Sequence, residues 1–237
     1  MNEILQFFSI NNTLFTVLGY QISYIEFIGT IFNLACVILV ARKNILNWPV
    51  GLVGVILFGA LFYQINLYAD LFEQVYFFIT GIWGWYMWQA AKKPKDDDEG
   101  IVVRRNTRTE NLAWIGVIIV GTAIGTWAMS NIHNWLPALF PEAATMVLPD
   151  TATTVMSFVA TILMMQRKLE NWALWIAVDV IGIWLYAYKQ VPFIALLYVA
   201  FLGIATGGFI TWLRTYRREH HETGTRDREI LPAAQRA

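Results

Sequence analysis

One carboxylate lies in the middle of a long apolar segment of this sequence. The segment from Asn171 to Tyr188 reads NWALWIAVDVIGIWLYAY, and Asp179 stands about halfway along it. At about 1.5 Å of helical rise per residue, Asp179 would lie roughly 10 to 12 Å from the start, near the middle of a bilayer. A charge at that depth costs about 2.5 to 3.5 kcal/mol on insertion scales, so the carboxylate is expected to face a cavity or a partner instead of lipid.

Aromatic residues share one helical face with this carboxylate. Trp172, Trp175, Gly182 and Tyr186 are spaced so that a helix places them on the same side as Asp179. Aromatic planes beside a negative charge, with a glycine that leaves room, suit a flat cationic ligand. The face therefore predicts a binding site with Asp179 and Trp175 in its lining. The alternative reading of Asp179 is a structural polar contact between helices.

Four residues on other apolar segments are further candidates for this site. Gln74 and Asn33 are uncharged polar residues placed deep in their segments, and Tyr198 and Phe201 could supply a facing aromatic surface. Each also has an ordinary reading, because amide and aromatic side chains mediate packing between membrane helices.

Other polar and aromatic residues stand near the ends of the apolar segments. Carboxylates within about a turn of an end can reach water, so an outer vestibule and plain solvation are both open for them. These carboxylates are Glu26, Asp70, Glu73 and Asp150. Indole rings are enriched at membrane interfaces, so tryptophans at segment ends are predicted to be interface anchors. These are Trp48, Trp88, Trp172 and Trp212.

The sequence carries no pattern of a metal, redox or catalytic site. His133, His220 and His221 lack metal-ligand spacing, and the single Cys36 excludes an internal disulfide. No nucleophile is paired with a base, as a hydrolase would require, and no nucleotide-binding motif indicates ATP or another cofactor. A seven-helix photoreceptor would need a Schiff-base lysine in its last span, which has none. Transport is therefore predicted over enzymatic activity.

The composition indicates an integral membrane protein, because 57% of the 237 residues are hydrophobic and only 14% are charged. Residues 1–20 are too polar to span and are expected to form a short interfacial helix. Two charged stretches are expected to be solvated and low in structure. They are Lys92–Arg108 in the linker at 91–111, and the residues from Glu219 onward in the cytoplasmic tail at 214–237. The apolar segments predict an all-α fold with seven membrane-spanning helices, at 21–41, 48–66, 70–90, 112–130, 148–165, 172–189 and 191–213.

The basic residues predict the orientation of the chain in the membrane. Of the 17 Lys and Arg, 16 fall in the tail and in the loops after the first, third and fifth spans, and only Lys189 falls on the other side. The positive-inside rule therefore places the N-terminus outside and the C-terminus in the cytoplasm. The net charge of zero gives no indication of a nucleic-acid partner.

An internal repeat relates the two ends of the chain. A three-helix bundle at 21–90 corresponds to a second bundle at 148–213, with a linking helix at 112–130, which predicts a 3+1+3 parallel repeat. Substrate is expected between the two bundles, near the midplane. A shift of 124 residues aligns several identical residues without a gap: Asn47 with Asn171, Trp48 with Trp172, Gly84 with Gly208, and Trp88 with Trp212.

The two bundles differ at the predicted site. Val55 occupies the position that matches Asp179, and Gln74 matches Tyr198. A binding site on the axis between the bundles would therefore be asymmetric.

Motifs in both bundles resemble the PnuC family of bacterial vitamin transporters. They are Leu67-Tyr68-Ala69-Asp70, Gly84-Trp85-Tyr86 and Glu170-Asn171-Trp172, and the similarity extends over all seven spans. The resemblance implies a fold similar to that of the SWEET sugar transporters but full-length in one chain, assembled as a homotrimer. It also implies facilitated diffusion of nicotinamide riboside, an NAD biosynthesis precursor, across the inner membrane, with trapping by a cytoplasmic kinase.

One departure from the family bears on the substrate. Some nicotinamide riboside transporters of the family read Trp-x-x-x-Asn where this chain reads Trp175-x-x-x-Asp179. An ionised Asp adds attraction for a cation to the hydrogen bonding of an Asn. Nicotinamide riboside and thiamine are both cations, so thiamine is the alternative to the expected nicotinamide riboside. Uptake is predicted to be downhill, by alternating access, with proton coupling through Asp179, Glu26 or Asp150 as the other possibility.

Overall fold

A computed structural model describes residues 6–17, 19–64, 68–91, 102–138, 140, 146–188 and 192–234, and of residues 68–69, 192–193 and 220–234 it describes the backbone alone. The described residues form seven long helices. They are α1 (Tyr24–Ala41), α2 (Asn47–Gln64), α3 (Tyr68–Ala90), α4 (Arg108–Trp135), α5 (Val147–Met165), α6 (Asn171–Tyr188) and α7 (Pro192–Ala234). Six of them are long and apolar enough to cross a membrane, and α3 is the exception among the described helices.

The segment before α1 is a β-hairpin. Strands β1 (Thr13–Val17) and β2 (Tyr20–Ser23) pair antiparallel, so the prediction of a short helix within 1–20 is wrong for this part. The strands are rich in β-branched and aromatic residues, which favour extended backbone. Gly19 has a φ of 82°, a conformation open to glycine at little steric cost, and it completes the tight turn.

Helix α7 extends far beyond the predicted last span. It continues without a break to Ala234, so the expectation that the tail is low in structure from Glu219 onward is wrong up to that residue. The segment after Arg214 is rich in Arg and Glu, which are good helix formers, and it carries charges of both signs.

The described part of the linker between α3 and α4 is held in place by backbone hydrogen bonds. Arg104 donates its N–H to the carbonyl of Arg167 at 2.9 Å and accepts from the N–H of Leu169 at 2.8 Å, forming a short parallel bridge. The expected low-structure linker is therefore wrong for 102–107, and residues 92–101 lie outside the described part. Thr107 then caps α4 in a reciprocal pair with Glu110, which explains why α4 begins before the predicted span.

The helices pack as two groups of three with contacts across them. In the first group α2 packs on both α1 and α3, and in the second group α6 packs on both α5 and α7. Helix α4 packs on α5. The two groups meet through α1 against α7 and through α3 against α5. The third helix of each group thus lies against the first helix of the other.

The two corners that open α2 and α6 have the same geometry. Lys43 and Arg167 both have a left-handed backbone, with φ of 56° and 61°. At each corner an asparagine side chain donates its Nδ2–H to the backbone carbonyl three residues earlier: Asn47 to Asn44 at 2.7 Å, and Asn171 to Lys168 at 2.6 Å. These contacts recur at a distance of 124 residues along the chain.

Candidate functional site

The carboxylate of Asp179 is buried on the inward face of α6. Asp179 is 5% exposed, and Trp172 and Gly182 of the same face are also buried. Among the described residues, none donates a hydrogen bond to the carboxylate or forms an ion pair with it. A buried carboxylate without a partner is costly in a membrane protein, which makes Asp179 the leading candidate for a functional residue.

An aromatic group from α7 packs beside Asp179. A Cβ built at Gly182 would lie 2.5 Å from both Cδ1 and Cε1 of Tyr198, so the ring edge rests directly on the backbone of α6. The ring of Tyr198 stacks on Tyr186, with centroids 5.4 Å apart and planes at 21°. Phe201 meets Tyr198 edge-on at 6.5 Å. Tyr198 also lies close enough to Asp179 for an electrostatic interaction.

The structure brings three of the six predicted site residues together and places the other three elsewhere. Asp179, Tyr198 and Phe201 form one group. Gln74, Asn33 and Trp175 contact other residues. Gln74 lies against Gly59 of α2, with its Cβ 3.7 Å from a Cβ built there, and a Cβ at Gly54 would lie 2.7 Å from Oδ1 of Asn33. Trp175 packs against a cluster of buried tryptophans. None of these three contacts reaches Asp179.

Carboxylates from α3 and α5 gather at the end of the bundle away from the basic corners. Asp70 and Asp150 both interact electrostatically with Glu73, and all three interact with Tyr186. Glu73 and Asp150 also interact with Tyr198. In the described part of the chain these groups do not form a set that could hold a metal ion. A group of carboxylates raises the local concentration of ions of the opposite sign, so this end of the bundle is expected to favour cations over anions.

The four tryptophans predicted as interface anchors are buried inside the protein. Trp48 is 4% exposed, Trp172 is 1% exposed, and Trp88 and Trp212 are fully buried, so the prediction is wrong for all four. Their rings meet in a chain, Trp48 to Trp88 at 5.4 Å, Trp88 to Trp212 at 6.2 Å, and Trp212 to Trp172 at 5.7 Å. We call these four residues the tryptophan cluster.

Glycines and backbone carbonyls make this burial possible. The ring of Trp48 lies on Gly84, and the Cη2 and Cζ2 atoms of Trp172 would lie 2.6 Å from a Cβ at Gly208. The two central indoles have their N–H groups satisfied: Trp88 donates to the carbonyl of Met164 at 3.1 Å, and Trp212 donates to that of Val40 at 3.1 Å. A buried indole N–H usually has a hydrogen-bond partner, but those of the two outer rings, Trp48 and Trp172, have none among the described residues.

The linker closes the basic end below the tryptophan cluster. Val103 is 2% exposed and packs within that cluster. Lys168 forms a salt bridge of 3.1 Å with Glu110, and the backbone N–H of Asn106 donates to Glu170 at 3.1 Å. We call residues 102–107 the strap. In this conformation the tryptophan cluster and the strap fill the space between the two helix groups at the basic end.

Two parts of this arrangement were missed by the sequence reasoning. Gly182 was recognised as a residue of the Asp179 face, but not as the surface on which Tyr198 rests. The tryptophan cluster was missed although the aligned pairs of glycines and tryptophans were visible. When a glycine and a tryptophan both recur at the same sequence separation, here 124 residues, the glycine can provide the space in which the indole ring packs.

A bundle of apolar helices with an inward carboxylate, an aromatic group beside it and a closed opposite end defines a multi-pass membrane transporter for a small molecule. Residues 23–214 match the family described as nicotinamide mononucleotide transporter, and the chain belongs to that family. The predicted membership is thus confirmed, and the chain is a transporter and not an enzyme.

Individual relatives agree with this assignment. The chain is 32% identical over 232 residues to the nicotinamide riboside transporter PnuC of Escherichia coli (strain K12), a match that covers 90% of this chain and 96% of that one. It is 26% identical over 211 residues to the riboflavin/roseoflavin transporter RibM of Streptomyces davaonensis, covering 89% and 94%. A crystal structure of the vitamin B3 transporter PnuC is similar with a TM-score of 0.66 and 26% identity, covering 82% of this chain and 83% of that chain.

Proposed function

We propose that this chain carries nicotinamide riboside across the bacterial inner membrane. The observation that carries the proposal is the unpartnered carboxylate of Asp179 beside the ring of Tyr198. Nicotinamide riboside presents a flat pyridinium cation, which an aromatic ring and a buried carboxylate both stabilise. The 32% identity to a nicotinamide riboside transporter supports the same substrate.

The predicted topology is part of the proposal. The chain spans the membrane seven times in a 3+1+3 parallel repeat similar to a SWEET transporter, with the N-terminus outside and the C-terminus in the cytoplasm. Corner contacts that recur 124 residues apart support two equivalent bundles. The basic residues at one end, which the positive-inside rule assigns to the cytoplasm, support the orientation.

Transport proceeds by alternating access without ion coupling. The acidic end faces outside and admits the cation, and the two bundles then rock until the tryptophan cluster and the strap part toward the cytoplasm. Asp179, Tyr198 and Phe201 form the core of the site. Trp175, Gln74 and Asn33 complete it when the bundles close on the substrate.

The assembly and the driving force follow the family resemblance. The protein forms a homotrimer, for which α4 is a suitable surface because none of its described residues is buried. A cytoplasmic kinase phosphorylates the vitamin and keeps its internal concentration low. The gradient of free substrate is then sufficient to drive uptake into NAD biosynthesis.

Calorimetric titration of the detergent-solubilised protein tests the substrate. Nicotinamide riboside is expected to bind, and riboflavin, a neutral ligand, is expected to bind more weakly because it gains nothing from the charge of Asp179. Thiamine, the other cation, is not favoured by the relatives and serves as a control. Tight binding of riboflavin without binding of nicotinamide riboside would refute the proposal. Uptake into liposomes that appears only with an imposed pH gradient would refute the uncoupled mechanism.

A further inference from the structure

The first bundle packs differently at the positions that match Gly182 and Tyr198. The positions 124 residues earlier hold Phe58 and Gln74. The ring of Phe58 faces α1, where a Cβ built at Gly29 would lie 3.2 Å from it. Gln74 lies instead against Gly59, the next residue of α2, with its Cβ 3.7 Å from a Cβ built there. The second bundle therefore has an aromatic ring on a glycine where the first bundle has an amide side chain.

The ring of Tyr198 is held from two sides. Its Cδ1–Cε1 edge rests on Gly182, and the stacked ring of Tyr186 supports one face. Both supports belong to α6, one helical turn and two turns after Asp179. The position of the ring relative to the carboxylate is therefore set by the surface of a single helix.

A side chain at 182 is incompatible with this position of the ring. A Cβ would lie 2.5 Å from two ring carbons and 2.9 Å from a third, closer than real Cβ contacts. The ring has to move away, because Tyr186 prevents it from sliding along α6. Any methyl group at 182 therefore displaces the ring of Tyr198 from its present position.

We propose that Gly182 is a positioning residue, which sets the ring of Tyr198 beside Asp179 so that the pair selects a flat cationic ring. The inference rests on the proposed function, since it names what determines selectivity within the same site. The hydroxyl of Tyr198 makes no hydrogen bond with the described residues, so it is available to the ligand. Gly182 does not contact the ligand and acts only through the tyrosine.

Titration of four variants with nicotinamide riboside tests this inference. Gly182→Ala is expected to raise Kd about tenfold, the scale of one aromatic contact with a desolvated cation. Gly203→Ala is the matched control, because a Cβ there meets nothing within 4 Å, and it should leave Kd unchanged. Tyr198→Ala should raise Kd by a similar factor, and the Gly182→Ala/Tyr198→Ala double variant should bind no worse than Tyr198→Ala.

The double variant separates positioning from general packing. If Gly182 only served helix packing, its substitution would raise Kd further in the Tyr198→Ala background, and such additivity would overturn the inference. An unchanged Kd in Gly182→Ala would overturn it as well. If Gly182→Ala does not fold, Tyr186→Leu removes the other support of the ring and should raise Kd in the same way, whereas an unchanged Kd there counts against the inference. If the wild type itself binds no nicotinamide riboside, the proposed function fails first.

Discussion

Trp88 and Trp212 lie with ring centroids 6.2 Å apart, and each donates its indole N–H to a carbonyl of the first helix in the opposite group. The acceptors, Met164 and Val40, are separated by the same 124 residues as the donors. Two equivalent hydrogen bonds thus cross between the helix groups at the basic end. Opening of this end has to break or shift both of them.

Loss of either indole N–H should destabilise the protein. Trp88→Phe and Trp212→Phe keep most of the ring but leave a buried carbonyl without its donor, at a cost of about 1 to 3 kcal/mol. Thermal unfolding in detergent measures the effect as a lower Tm. Trp127→Phe is the control, because Trp127 is 63% exposed, and a Tm loss there equal to that of Trp88→Phe would contradict the prediction.

A methyl group opposite the tryptophans should also destabilise the protein. Gly84→Ala and Gly208→Ala place a Cβ against the rings of Trp48 and Trp172, and such overpacking costs about 1 to 3 kcal/mol. Gly116→Ala on α4 meets nothing within 4 Å and should leave the Tm equal or slightly higher. A tolerated Gly84→Ala would show that the cluster adapts easily.

The charge of Asp179 should contribute directly to binding. Asp179→Asn is expected to raise the Kd for nicotinamide riboside roughly tenfold or more, because a hydrogen bond to a charged group is worth about 1.5 to 3 kcal/mol. Asp150→Asn, at the exposed acidic end, should act mainly on the association rate and lose its effect at high salt. Titration and stopped-flow binding at two salt concentrations distinguish an effect on Kd at Asp179 from an effect on the association rate at Asp150. Normal expression with unchanged Kd in Asp179→Asn would assign that residue to helix packing.

Release of the strap should loosen its backbone hydrogen bonds at the basic end without changing substrate binding near Asp179. Lys168→Ala removes the salt bridge to Glu110 and a hydrogen bond of 3.3 Å to the carbonyl of Arg105. Hydrogen exchange at the N–H groups of Arg104 and Leu169 should become faster, while the Kd for nicotinamide riboside stays the same. Lys43→Ala, which loses a bond of 3.1 Å to Thr215 outside the strap, should leave exchange at those two groups unchanged.

The hydroxyl of Tyr20 in the hairpin should stabilise the folded protein, and this contribution should disappear at alkaline pH. Burial and a hydrogen bond of 2.8 Å to Glu26 raise the pKa of Tyr20 from 10.0 to about 12. Because the folded state holds this proton more tightly than the unfolded state, the stabilisation is complete below pH 10 and is lost as the pH rises through 12. Tyr20→Phe should therefore lower the Tm at pH 8, and the difference from wild type should shrink between pH 10 and 12. A difference independent of pH would refute the assignment to the hydroxyl.

Much of the candidate site could be predicted from α6 alone. A helix has a fixed period, so the burial of Trp172, Asp179 and Gly182 on one face follows from their spacing. The partners of that face could not be predicted in the same way. Tyr198 could be named as a facing residue, but its position on Gly182 depends on how α7 packs against α6.

The sequence by itself determined the membrane class, the family and the extents of most helices, because apolar length and period are local properties of the chain. Only the tertiary structure decided which aromatic residues are buried. Trp48 and Trp172 lie near helix ends, where the hydropathy of the surroundings favours an interface, and the glycines that accept their rings come from other helices. The position of the strap was also decided by the tertiary structure, because the backbone of Arg104 bonds to a corner that lies more than sixty residues further along the chain. Contacts of that range are selected by packing and hydrogen bonding together, and no local pattern encodes them.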